Sequence, residues 1–145
     1  MREILFRAKD EDSKNWGYGN LLQYKDGSCS IREKDSSEHG FKTWIVDPET
    51  VGQFTGLTDK NGVKIFEDDI LENIDGSVSV VKFGQFKAGK DDWDIEYLPV
   101  GFYILFADGG TYCINLHGDG YAIKAEGCST IGNIHDNLNY LNKLF

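Results

Sequence analysis

Cys113, His117, Cys128 and His135 have the most obvious capacity for chemistry, because thiolates and imidazoles together hold zinc. In order they read C-x3-H…C-x6-H. Structural zinc sites keep each ligand pair on a tight turn, and neither spacing does so here. The alternation over Thr111–His117 predicts a strand, with Tyr112, Ile114 and Leu116 on one face. Cys113 and His117 then share a face but stand about 13 Å apart, too far for one ion or a direct thiolate–imidazole pair. The expectation is no metal, with structural cysteines and a surface histidine.

Carboxylates are the second candidate. Glu67, Asp68, Asp69, Glu72 and Asp75 crowd one segment, and Asp91, Asp92, Asp94 and Glu96 a second. Paired carboxylates hydrolyse bonds only inside a pocket that raises one pKa, and in alternating surface strands they face water. No nucleophile elbow, phosphate loop or metal motif accompanies them, so no catalytic residue and no cofactor is assigned. A hydrolase built on the cluster is an alternative that requires a concave pocket holding at least two of these acids. Asp59-Lys60-Asn61-Gly62 opens like a calcium loop, but glycine falls fourth rather than sixth, which suits a hairpin turn instead.

Aromatic residues offer a third route, recognition. Trp16, Trp44, Trp93, Tyr97 and Phe102 could line a groove, although Trp44 and Phe102 are expected in the core. Trp93 differs, since it sits inside Asp91-Asp92-Trp93-Asp94 and is costly to expose unless it packs on something. Its own barrel and a neighbouring subunit are both open as that something. The candidate partner-binding residues are Glu67, Asp68, Asp69, Glu72, Asp91, Asp92, Trp93 and Asp94.

The elements that position these residues follow from composition and pattern. With 145 residues the chain fits one domain or two small subdomains sharing a core. Seventeen glycines beside 13% aromatic residues point to short strands joined by tight turns. Strands are expected over Glu3–Ala8, Tyr18–Tyr24, Ser28–Arg32 and Thr43–Val46, with one helical turn at Glu49–Gly52 capped by Asp47. Further strands are expected over Gln53–Leu57, Val63–Phe66, Asp69–Ile74, Ser77–Phe86, Gly101–Phe106, Thr111–His117 and Thr130–Ile134. Gly101–Phe106 reads as a central strand buried on both faces, and Lys87–Asp94 as a long charged loop. Asp136–Phe145 reads as a short helix with Leu138, Leu141 and Phe145 inward. Five short strands after residue 65 suggest a small barrel.

A net charge of −9 makes the chain a poor ligand for nucleic acid or an anionic membrane. A sharper reading takes the acids as a phosphate mimic, a decoy for a host nucleic-acid-binding protein. Three widely spaced cysteines argue against a disulfide framework, and no apolar run reads as a signal peptide or membrane span, so a reduced cytoplasmic protein is expected.

Thr55-Gly56-Leu57-Thr58-Asp59-Lys60-Asn61-Gly62-Val63-Lys64-Ile65-Phe66-Glu67-Asp68-Asp69-Ile70 follows the pattern T-G-L-x-D-K-N-G-x-x-I-[YF]-E-x-D-I. With the opening Arg2–Ala8 and the closing Ile131-Gly132-Asn133-Ile134-His135-Asp136-Asn137, it resembles the signatures of the YopX family of phage and prophage proteins. One departure stands out: the family commonly has glycine where this chain has Asp68. If that backbone needs a positive φ, aspartate adopts it at a cost of roughly 1 kcal/mol. The resemblance implies a β-rich fold with an SH3-like barrel in the C-terminal half and self-association, and it implies no activity.

The combined expectation is a mostly β protein, with a small N-terminal β region over 1–65 and an SH3-like barrel with a short C-terminal helix over 66–145. It is read as a non-enzymatic accessory protein of prophage type that binds itself or a host or phage protein. In that reading Gly56 and Gly62 set turns, while Ile65, Phe66 and Ile70 feed the core.

Overall fold

The computed structural model describes residues 1–35, 37–115 and 122–144, with the side chains of Lys143 and Leu144 left aside. The protein is mostly β, with twelve strands and one short helix among the described residues. The chain divides into two compact units, Met1–Gly56 and Leu57–Phe145. The division falls ahead of the boundary expected at residues 65 and 66, so the signature hairpin belongs to the second unit.

In the first unit β1 (Phe6–Lys9), β2 (Trp16–Gln23), β3 (Cys29–Lys34) and β4 (Phe41–Val46) form an antiparallel meander, and β5 (Gly52–Thr58) flanks β1. Edge strand β4 curls back to the end of β1: Asp10 bridges Val46, and the N–H of Asp47 donates to Lys9 at 2.9 Å. Closing a sheet in this way satisfies edge groups that would otherwise recruit another chain. Ala8, Cys29, Ile31 and Val46 are the buried centre, with Trp44 packed against them. The expected helical turn is a 3-10 turn at Pro48–Thr50, and the Asp47 carboxylate caps it by accepting from the N–H of Glu49 at 3.0 Å.

In the second unit the end of β5 turns into β6 (Lys64–Phe66), followed by β7 (Asp69–Glu72), β8 (Val78–Gln85), β9 (Val100–Phe106), β10 (Thr111–Asn115), β11 (Ala122–Lys124), β12 (Ser129–Asn133) and α1 (Leu138–Leu144). Six strands in the order β11-β10-β9-β8-β7-β12 make a curled half-barrel. All its pairings are antiparallel except β10 with β11. Strand β11 had no counterpart in the sequence reading, because three residues are too few for a periodicity. The core lies inside the curl: Ile65, Leu71, Val81, Ile104, Ile114, Ala125 and Cys128. Phe66 and Ile70 are buried as expected.

Three local expectations need correction. Central β9 has one buried face, not two. Only Ile104 is fully buried in it, whereas neighbouring β7 and β8 bury consecutive residues that point to opposite faces, Ile70 with Leu71 and Val80 with Val81. Gly62 has φ 77° in the hairpin turn, but Gly56 has φ 87° inside β5 and sets no turn there. Leu138 is 62% exposed, so helix α1 does not direct it inward, while Leu141 is half-buried. Phe145, Leu116 and His117 lie outside the described residues. No helix among the described residues is long and apolar enough to cross a membrane.

Candidate functional site

The two signature stretches meet in the second unit, and Asp59 joins them. It opens the β5–β6 hairpin, where its Oδ1 accepts from the N–H groups of Asn61 (2.8 Å) and Val63 (3.0 Å). Its Oδ2 reaches across to accept from the N–H of Thr130 in β12 at 2.8 Å. Beside it the Lys60 N–H donates to Cys128 at 2.9 Å and the Asn61 amide to Ser129 Oγ at 3.3 Å. Burial alone would raise the Asp59 pKa, but the N–H donors of Thr130, Val63 and Asn61 prevail and hold it below the usual carboxylate value.

Asp68 forms the second joint. Its φ is 69°, the left-handed conformation that glycine adopts freely, so the departure from the signature does fall on a backbone of positive φ. The N–H of Asp68 donates to Val81 in β8, and its carbonyl accepts from Ile134 just past β12. The carboxylate takes Lys82 Nζ at 2.8 Å and His135 Nε2 at 3.1 Å. Burial raises its pKa, yet the bonds from His135 and Lys82 outweigh burial and keep it low. The aspartate thus offsets an awkward backbone with a clamp on two neighbouring segments. Asp68→Ala is expected to lose about 2 kcal/mol, whereas Asp68→Gly, which regains backbone freedom, should lose about 1 kcal/mol less than that. Urea unfolding midpoints decide it, and equal losses for the two variants would refute the clamp-for-strain account.

The rest of the first acidic segment splits between inside and outside. Asp69 is 2% exposed and its Oδ2 accepts from the Phe66 N–H at 2.8 Å, closing the β6–β7 turn. Glu67 is half-buried and Glu72 exposed at the end of β7. The segment is a folded corner with a small exposed rim.

Asp91, Asp92, Trp93 and Asp94 are at the tip of a β arm. The sequence suggested a loop over Lys87–Asp94, but the β8–β9 hairpin continues through it. Phe86 bonds to Pro99, Ala88 to Tyr97, Tyr97 to Gly89 and Asp91 to Ile95 along the backbone. Asp91 Oδ1 folds the tip by accepting from the N–H groups of Trp93 and Ile95, both at 2.9 Å, and Asp94 completes it at φ 64°. Lys90 pairs with Asp94 at 2.7 Å and Lys87 with Glu96 at 3.1 Å. Those pairs, both centred close to Asp92, are the mark that such a hairpin leaves in sequence. Trp93 is 80% exposed, so its own barrel does not cover it. Ile95, Tyr97, Leu98 and Val100, not singled out from sequence as an arm, are exposed beside it. The arm leaves β8 beyond Gln85, whereas Asp68 is anchored at Lys82, so the two acidic segments serve different places.

The comparison with known families spans nearly the whole chain. A family model described as YopX protein matches residues 5–142. The chain belongs to the YopX family. No curated protein matches it.

In this YopX chain the four residues considered for zinc have other roles or lie outside the description. The His135 ring is engaged by Asp68. Cys128 is buried, and its thiol donates to Asn73 Oδ1 at 3.3 Å. Burial first, and the charges of Asp59 and Asp75 after it, push that thiol up to about 11, which leaves it inert at neutral pH. Cys113 pairs with Tyr103 and Ala122 within the sheet. His117 lies outside the described residues, and among those described no three potential ligands form a metal group.

Proposed function

We propose that this YopX-family chain is a non-enzymatic accessory protein of phage type that works in the cytoplasm by associating with a second copy of itself through the β8–β9 arm. The observation that carries this reading is the exposure of Trp93, Ile95, Tyr97, Leu98 and Val100 on one hairpin. With Phe83, also exposed at the foot of the arm, they present roughly 700 Å² of apolar side chain, close to one partner's share of a standard interface. A hairpin with internal ion pairs suits an isologous contact, because the same surface can meet itself about a two-fold axis. The chain's net charge of −9 opposes association elsewhere, and the stripe Phe83, Leu98 and Val100 carries no charge.

Light scattering behind size-exclusion chromatography tests the proposal at low and high salt. The expected mass is a multiple of 16.3 kDa that persists in high salt, as an apolar interface predicts. Trp93→Ala should raise the dissociation constant by at least about tenfold while leaving the unfolding midpoint within about 0.5 kcal/mol of the parent. A monomer at all concentrations, or an oligomer mass indifferent to Trp93→Ala, would sink the proposal.

A further inference from the structure

A cavity of about 560 Å³ opens at the mouth of the half-barrel, wholly within the second unit. Its walls are apolar where they meet the core. Phe106 and Tyr112 stand edge to face with centroids 5.5 Å apart, Ile123 lies near them, and all three pack on the buried cluster. Cys128 and Asn73 form the floor. The volume falls in the range of small-molecule sites, and the mouth of a β-barrel is a common place for one.

The hydrogen-bonding polarity of the lining narrows the ligand. The floor's donors are already used: the Asn73 amide donates to Ser77 and Ser79, and the Cys128 thiol donates back to Asn73. At the rim, Asp75 and Asp108 each commit Oδ1 to their own turns, accepting from the N–H groups of Ser77 (2.9 Å) and Gly110 (2.8 Å). Their Oδ2 atoms accept no bond among the described residues. The rim cation, Lys124, has Glu126 3.6 Å away. Acceptors therefore outnumber free donors, and the local field is negative.

We propose that this cavity binds a compact organic cation, with its flat or methylene body on Phe106, Tyr112 and Ile123 and its N–H donors on Asp75 and Asp108. An anion would meet like charge at the rim and find no free donor at the floor, whereas a cation gains from both acids and from the aromatic faces. The proposal stands apart from the arm, which contributes none of these residues.

Two-dimensional NMR titration tests it with three probes: benzamidine as a free aryl cation, N-acetyl-arginine amide as a displayed side chain, and benzoate as the matched anion. Benzamidine or the arginine amide is expected to shift the signals of Tyr112, Ile123 and Cys128 with millimolar or better affinity, and benzoate is not. Whichever cation binds more tightly indicates whether the natural ligand is a free molecule or an arginine of another protein. The double variant Asp75→Asn, Asp108→Asn keeps both turns, since Asn supplies the same Oδ1 acceptor. It should weaken cation binding by about tenfold or more with an unchanged fold. No shift from either cation up to ~10 mM, benzoate binding as well as benzamidine, or a double variant that binds like the parent would each overturn the proposal.

Discussion

Asp59→Ala should be among the most damaging single substitutions in the chain, with an expected loss of about 3 kcal/mol in unfolding free energy. Three backbone N–H groups lose their acceptor at once, and a buried donor left without a partner costs roughly 1–3 kcal/mol. Asp59→Asn retains the Oδ1 acceptor for the hairpin but forfeits the charge and the bond to Thr130, so about half that loss is expected. Acid adds a second readout. The folded Asp59 carboxyl titrates below its ordinary value of 3.8, so the unfolded chain takes up the proton first. Its contribution is complete above that ordinary value and is lost as pH falls through the lower, folded-state pKa. The gap in stability between the parent and Asp59→Asn should therefore narrow below about pH 4. A gap that stayed constant from pH 7 to pH 3 would contradict this role for the carboxylate.

Ile104→Ala is the second large effect. Ile104 is fully buried at the centre of β9, facing Leu71, Val81 and Ile114 inside the curl. Truncating it should cost about 4 kcal/mol, from lost burial and the cavity left behind. Leu105, its half-buried neighbour on the opposite face, should cost about 1–2 kcal/mol less under the same truncation. Thermal and urea melts of the two variants measure the asymmetry directly. Equal losses would mean that β9 is covered on both sides and that the half-barrel has a second core.

Those two residues show what sequence made legible. The signature hairpin could be read because Asp59-Lys60-Asn61-Gly62 combines turn chemistry with apolar residues placed to feed a core, and Ile65, Phe66 and Ile70 are buried as read. Asp68 was legible as a backbone of positive φ, but its carboxylate was not, since Lys82 and His135 are brought to it only by the pairing of β7 with β8 and β12. The single-sided burial of β9 was hidden by its unbroken apolar run. The outer positions hold Tyr103 and Leu105, whose rings and methyls pack on neighbours such as Phe86 without being fully covered. The arm is hidden in sequence because its charged residues read as a loop, whereas Lys87 pairs with Glu96 and Lys90 with Asp94 within the hairpin. The closure of the first unit, Asp10 to Val46, leaves no mark in sequence, because any residues can exchange backbone bonds there.

The pairing of β7 with β12 sets a schedule for how the protein comes into being. In the first unit, the meander from β1 to β4 pairs each strand with the next in sequence, so those ladders can form while the chain is still being made. The second unit must wait. Strand β7 is synthesised early, but one flank stays open until Ser129–Asn133 arrives to take it, and Asp59 and Asp68 have no Thr130 or His135 to hold until the same moment. During that interval β7 and β8 present an unpaired edge and an uncovered apolar face, the features that attract chaperones or other nascent chains. The second signature is therefore a fastening made last, and a ribosome pause just before residue 129 would leave the half-barrel at its most vulnerable.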